Sequence, residues 1–148
     1  MAGAMKIEKV TTYHLRAELT RAEAFAYSQA QITSRTAMLV EIAADDGRSG
    51  WGEAYGPPAP SKTIIDEIYA PRLIGRDPMD TTVIWEDLYA AMRDYGRTGF
   101  PVAALSAVDI ALWDLKGKIL GQPVAKLLGG AFRAQLTAYA TGLYRHDV

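Results

Sequence analysis

Apolar and polar residues alternate loosely over residues 6–15, a stretch rich in Val, Thr, Tyr and Ile, and this predicts a strand. Residues 16–34 lose that alternation and are expected to be mostly loop. RTAMLVEIAA at 35–44 predicts a second strand, Asp45-Asp46-Gly47 a turn, and RSGWGEA at 48–54 the return strand of a hairpin. The prolines of GPPAP at 56–60 remove backbone donors, so this segment is expected to be irregular.

From there the period changes to that of helices. Ser61 is placed to cap a helix that carries Ile64, Ile65, Ile68 and Tyr69 on one face and ends at Pro71. Asp77-Pro78 is expected to start the next, with Ile84, Leu88 and Met92 as its buried stripe. Beyond Gly96 and Gly99, a longer helix buries Ala104, Ala107, Val108, Ala111, Leu112 and Leu115. Leu105, Ile110 and Trp113 add apolar residues off that stripe, which implies a further body packed on it. A short helix closed by Gly129 and Gly130 follows, then a strand-like run at 136–143 with no local partner. Strands followed by helices define an α+β class: a three-stranded antiparallel sheet, then a helical bundle, then a lone strand.

Composition narrows the function classes. Across 148 residues the chain is 49% hydrophobic and 22% charged, with net charge −1 and no cysteine. A general attraction to nucleic acid is not implied. Disulfides, thiolate metal sites and Cys nucleophiles are excluded. No apolar run has membrane-spanning length, and no basic-then-apolar leader is visible, so a cytoplasmic location is expected. The first four residues, MAGA, are open between native chain and an expression remnant.

Three motifs in order point to a family: GWGEA at 50–54, SAVDIALWDLKGK at 106–118 leading into GQPVAKLLGG at 121–130, and AYATG at 138–142. Together they closely resemble the N-terminal part of the enolase superfamily, in its mandelate racemase and muconate lactonizing enzyme branch. The resemblance implies a capping domain over residues 1–132 and, over 133–148, the first strand of a TIM-type barrel whose remainder is absent. It implies an enzyme that abstracts a proton α to a carboxylate, with Mg²⁺ bound by the barrel and not by this chain. The barrel's Lys-x-Lys base and carboxylate ligands match no residue here, so this piece alone is expected to be inactive. GEAYGPPAP and AYATGLY look most like acid-sugar members, including aldaric-lactone cycloisomerases. Dehydratase, racemase and cycloisomerase chemistry all stay open.

In that family the cap selects substrate through two loops, which map onto residues 19–34 and 54–60. Phe25, Tyr27 and Tyr55 are the candidate substrate contacts, with a role as loop anchors weighed evenly beside it. Thr141, or Tyr139 on the same face, is a candidate at the end of the first barrel strand. The expected partners are the missing barrel, a small carboxylate substrate and a second copy of the chain. A free-standing binding module and one chain of a split enzyme are the alternatives.

Other chemistry-bearing residues read as structural. Lys116 and Lys118 spell Lys-x-Lys on a helix, where they diverge by about 200° and suit a helix C-terminus instead. Asp109 and Asp114 in an apolar helix call for an ion pair or capping role. Asp45-Asp46, Asp66-Glu67 and Glu86-Asp87 read as solvated surface. Gly47, Gly50 and Gly52 match no phosphate cradle and read as turn and strand packing. His14 reads as an ordinary strand residue and His146 as a rim position without support.

Overall fold

The computed structural model describes residues 5–27 and 30–140. In chain order its elements are β1 (Ile7–Glu18), β2 (Phe25–Tyr27), β3 (Ala30–Ile32), β4 (Ser34–Ala44), β5 (Ser49–Ala54), α1 (Pro58–Ile64), α2 (Ala70–Leu73), α3 (Thr81–Ala91), α4 (Phe100–Leu120) and α5 (Val124–Leu127). A π-helical turn, Ile65–Tyr69, joins α1 to α2. The expected α+β class and three-stranded antiparallel sheet are both present, in the order β1-β4-β5.

The central strand sets the core. Successive side chains of β4 point to opposite faces, so Met38, Val40, Ile42 and Ala44 form one buried row toward the helices. Val10 lies opposite Ile42 and Thr12 opposite Val40 on β1. The helices answer with Ile65, Tyr69 and Leu73, then the expected stripe Ile84, Leu88 and Met92, then the expected stripe of α4.

Helix α4 meets β5 backbone to backbone. A Cβ built on Gly50 would lie 2.1 Å from the Ala111 carbonyl oxygen, and one on Gly52 would lie 2.0 Å from that of Ala107. Only glycine permits that approach. The free edge of β5 is then tied to the same helix. Trp51 N–H donates to Asp114 Oδ2 at 2.9 Å, and Lys118 Nζ donates to the Ser49 carbonyl at 2.8 Å and to Asp114 Oδ2 at 2.7 Å. Helix α4 stops at Gly121, which lies in the left-handed region (φ 61°).

Several expectations are corrected. Residues 16–34 are not mostly loop: β1 runs on to Glu18, and β2 and β3 pair as a small hairpin. Three-residue strands are too short to show a period. The segment 56–60 is irregular only at its start, because Pro58 already lies in α1, where a preset φ suits the first helical turn. Ser61 therefore sits inside the helix, fully buried, and makes no cap bond. The helix also passes Pro71. A proline ring collides with the carbonyl four residues back in a regular α-helix. Here the ladder has already widened, with Ala70 N–H donating to the carbonyl of Ile65.

Asp77-Pro78 forms a turn rather than a helix start. Asp77 Oδ1 accepts from Met79 N–H at 2.8 Å, and α3 begins at Thr81. Ile110, off the buried stripe of α4, is half exposed. Residues 136–140 form no strand; Leu136 and Tyr139 are exposed, and the rest of that run lies outside the described residues. Among the described residues no helix is long and apolar enough to cross a membrane.

Two outcomes follow from this packing. Gly52→Ala is expected to cost about 3 kcal/mol or more, because neither backbone can retreat, as read by urea denaturation. Burial pushes the Tyr69 phenol up to about 12, and its hydroxyl donates to the Pro101 carbonyl at 3.0 Å. The unfolded phenol ionises near 10, so the stability Tyr69 confers is complete below that pH and is lost as pH rises from about 10 through 12. Tyr69→Phe is expected to flatten this alkaline decline, measured by denaturation at stepped pH.

Candidate functional site

Strands β1 and β4 extend past the end of β5, with Glu18 paired to Ser34 while Ala54 pairs only as far as Met38. The β2–β3 hairpin leaves from this overhang. Its base is closed by Leu19 N–H donating to the Thr33 carbonyl at 2.8 Å. A tight turn precedes β2: Glu23 accepts from the Thr20 N–H and hydroxyl at 2.9 and 2.7 Å, which holds its carboxyl below the usual range. The hairpin thus has a fixed entry point, not a free span of loop.

Between the hairpin, the start of β4 and the chain leaving β5 lies an open cleft of about 570 Å³. Phe25 and Ile32 line it from the hairpin, Ser34 and Arg35 from β4, and Glu53 and Tyr55 from the end of β5. That volume falls in the range of small-molecule sites. The two segments expected to act together, 19–34 and 54–60, therefore do converge.

The candidate residues fare differently. Phe25 is buried, with the Arg35 guanidinium carbon 4.5 Å from its ring centroid, so it serves as an anchor at the cleft wall. Tyr55 lines the same cleft and is 92% exposed, so its ring is available. Tyr27 pairs with Ala30 through the hairpin backbone, and its side chain is outside what is described. Thr141 and His146 lie outside the described residues. Tyr139 is exposed and distant in sequence from any pairing.

Arg35 and Glu53 are cleft residues that the sequence reading passed over as ordinary strand positions. A signal was present. The row that buries Met38, Val40 and Ile42 puts Arg35 on the opposite, open face of β4. Glu53, paired with Leu39, shares that face. A charge at the open face of a strand, next to a candidate loop, could have been nominated on parity alone.

The structural readings of the other residues hold only in part. Lys116 does not simply face a helix end: its Nζ donates to the Met79 carbonyl at 2.9 Å and so fastens the turn before α3. Asp114 has the expected ion pair, with Lys118. Asp109 has none among the described residues; burial raises its carboxyl above the usual range, opposed by the Trp113 side chain. Asp66 holds Lys62 and the Thr12 hydroxyl, both at 2.6 Å, and Asp87 holds Arg76 at 3.0 Å. His14 is an exposed residue of β1. Among the described residues no three His, Asp or Glu side chains converge on one point.

The sheet with its covering helices and a cleft at the overhanging end is the architecture of an enzyme cap. Residues 9–129 match the N-terminal domain of mandelate racemase / muconate lactonizing enzymes, and the chain belongs to that family. It is 44% identical over 143 residues to a D-galactarolactone cycloisomerase of Agrobacterium fabrum, a match that takes in 97% of this chain and 37% of the relative. An arabinonate dehydratase of Saccharolobus solfataricus is 39% identical over 109 residues, 72% of this chain and 29% of its own. A crystal structure of a mandelate racemase/muconate lactonizing protein from Paracoccus denitrificans, complexed with magnesium, superposes with a TM-score of 0.69 at 38% identity, covering 88% of this chain and 32% of that one. The chain thus spans little more than a third of the length of the cycloisomerase.

Anchor and exposed ring are separable by experiment. Phe25→Ala is expected to remove about 3 kcal/mol of local stability and speed amide exchange in the hairpin. Tyr55→Ala is expected to change stability by less than about 0.5 kcal/mol, because its side chain packs on little.

Proposed function

We propose that residues 1–132 are the capping domain of a two-domain enzyme and residues 133–148 the opening of its barrel. The reading takes the full enzyme to act on an acid sugar, abstracting a proton α to its carboxylate with Mg²⁺, as a cycloisomerase, dehydratase or racemase. What carries it is the 44% identity to a galactarolactone cycloisomerase along nearly the whole chain. The cleft supports it: the two loop segments meet there and leave Tyr55 open.

In this reading the metal and the bases belong to the part of the relatives that this chain does not span. The cap supplies positioning and water exclusion at the end of the substrate away from the reacting carbon. Phe25 fixes the hairpin, and Tyr55 offers an amphipathic ring to sugar carbons and hydroxyls. The barrel, a small carboxylate and a second copy of the chain are its partners.

The chain by itself, assayed with Mg²⁺ against a panel of aldonates, aldarates and their lactones, is expected to show no turnover; turnover would overturn the reading. Residues 1–132 grafted in place of the cycloisomerase's own cap are expected to restore turnover of the lactone. Tyr55→Ala in that chimera is expected to raise KM several-fold with a smaller change in kcat.

A further inference from the structure

We propose that Arg35 is the group in this cleft that receives a carboxylate of the acid sugar, the one distal to the reacting carbon. The inference rests on the reading that the cap faces an acid-sugar substrate, and it adds a residue and a charge to that reading.

The first support is what Arg35 does not do. Arg16, Arg48, Arg72, Arg76 and Arg93 each hold an acidic neighbour, whereas Arg97, like Arg35, lies on an aromatic ring, that of Tyr89, and among the described residues pairs with no carboxylate. Among the described residues no carboxylate pairs with Arg35; its partner is the face of Phe25 at 4.5 Å. A ring face attracts the cation but takes none of its in-plane N–H groups. The guanidinium therefore keeps the fork of donors that matches a carboxylate by two parallel hydrogen bonds.

The second support is that this fork is held in place. Phe25 is buried, so the surface on which the guanidinium lies does not move with solvent. Stacking on a fixed ring reduces the rotamer freedom that a carboxylate would otherwise have to remove.

The third is the distribution of charge across the cleft. Glu53 lines it from β5, while Arg35 lines it from β4, with Ser34 and Thr36 beside it in the chain. A carboxylate is repelled from the first wall and attracted to the second. Glu53 remains an acceptor for sugar hydroxyls. A polyhydroxy carboxylate is thus oriented, not merely held. A neutral polyol gains only the hydroxyl contacts.

The test follows the Arg35 Nε–H and Tyr55 ring resonances of this chain during titration at low ionic strength. The probes are galactarate, galactitol and sodium sulfate. Galactarate is expected to shift both resonances, and galactitol is expected to bind at least about tenfold more weakly, the factor one charge-assisted pair supplies. Arg35→Gln is expected to bring galactarate down to the level of galactitol, and Arg35→Lys to recover part of the difference. Arg35 is exposed, so an unchanged amide spectrum away from the cleft verifies folding in both variants. Undiminished galactarate binding in Arg35→Gln would overturn the inference while leaving the acid-sugar reading in place. A sulfate response equal to that of galactarate would reduce the site to nonspecific anion attraction and also overturn it. If no probe moves either resonance, the inference falls, and the acid-sugar reading stands or falls separately on the chimera's turnover.

Discussion

The contact between β5 and α4 is the constraint on which the rest depends. At Gly50 and Gly52 the two backbones come so close that a single methyl group would strike the carbonyls of Ala111 and Ala107. Proximity of this kind sets the angle and height of the helix over the sheet, because nothing soft lies between them. Small residues on the helix answer the glycines on the strand, and larger ones on either side fill the core. Asp114 and Lys118 then act on the edge of the strand the glycines belong to. A sheet edge that would otherwise present unpaired N–H and C=O groups is closed by one helix.

This arrangement leaves the site on the other side. With the helices committed to the Met38, Val40 and Ile42 face of the sheet, the opposite face of β4 stays open. The hairpin of β2 and β3 is seated where the long strands outrun the short one, and the cleft forms there. Its walls come from two segments separate in sequence, within residues 25–36 and 53–56, brought together because both flank the same pair of strands. Among the described residues the chemistry offered is recognition: a cation, a carboxylate, an exposed phenol and a buried ring that keeps the cation in place.

Much of the fold was legible in the sequence because it is written in periods. The alternation at 35–44 reports a half-covered central strand, and the Ile84, Leu88 and Met92 spacing reports a helix face. The errors fall where period and local chemistry give conflicting or insufficient signals. Pro71 reads as a stop, but a widened turn removes the collision that would make it one. Asp77-Pro78 reads as a helix start, but the Asp77 side chain caps a turn instead. The strands of the hairpin are too short to carry a period. Within the site, Tyr55 and Phe25 were nominated from loop position and aromatic character. Arg35 and Glu53 were not, since a charge in a strand reads as surface until its neighbours are known.

The sequence by itself determined the class of the fold, the buried faces of its long elements and the family, since periodic burial and ordered motifs are local properties of the chain. It could not distinguish a buried anchor from an open contact among the loop aromatics. It also could not show that Gly50 and Gly52 answer a helix backbone more than fifty residues away, or that Arg35 lies on Phe25 with no acidic partner among the described residues. Those facts are decided only by tertiary structure, because each depends on which atoms from distant segments occupy the same few ångströms.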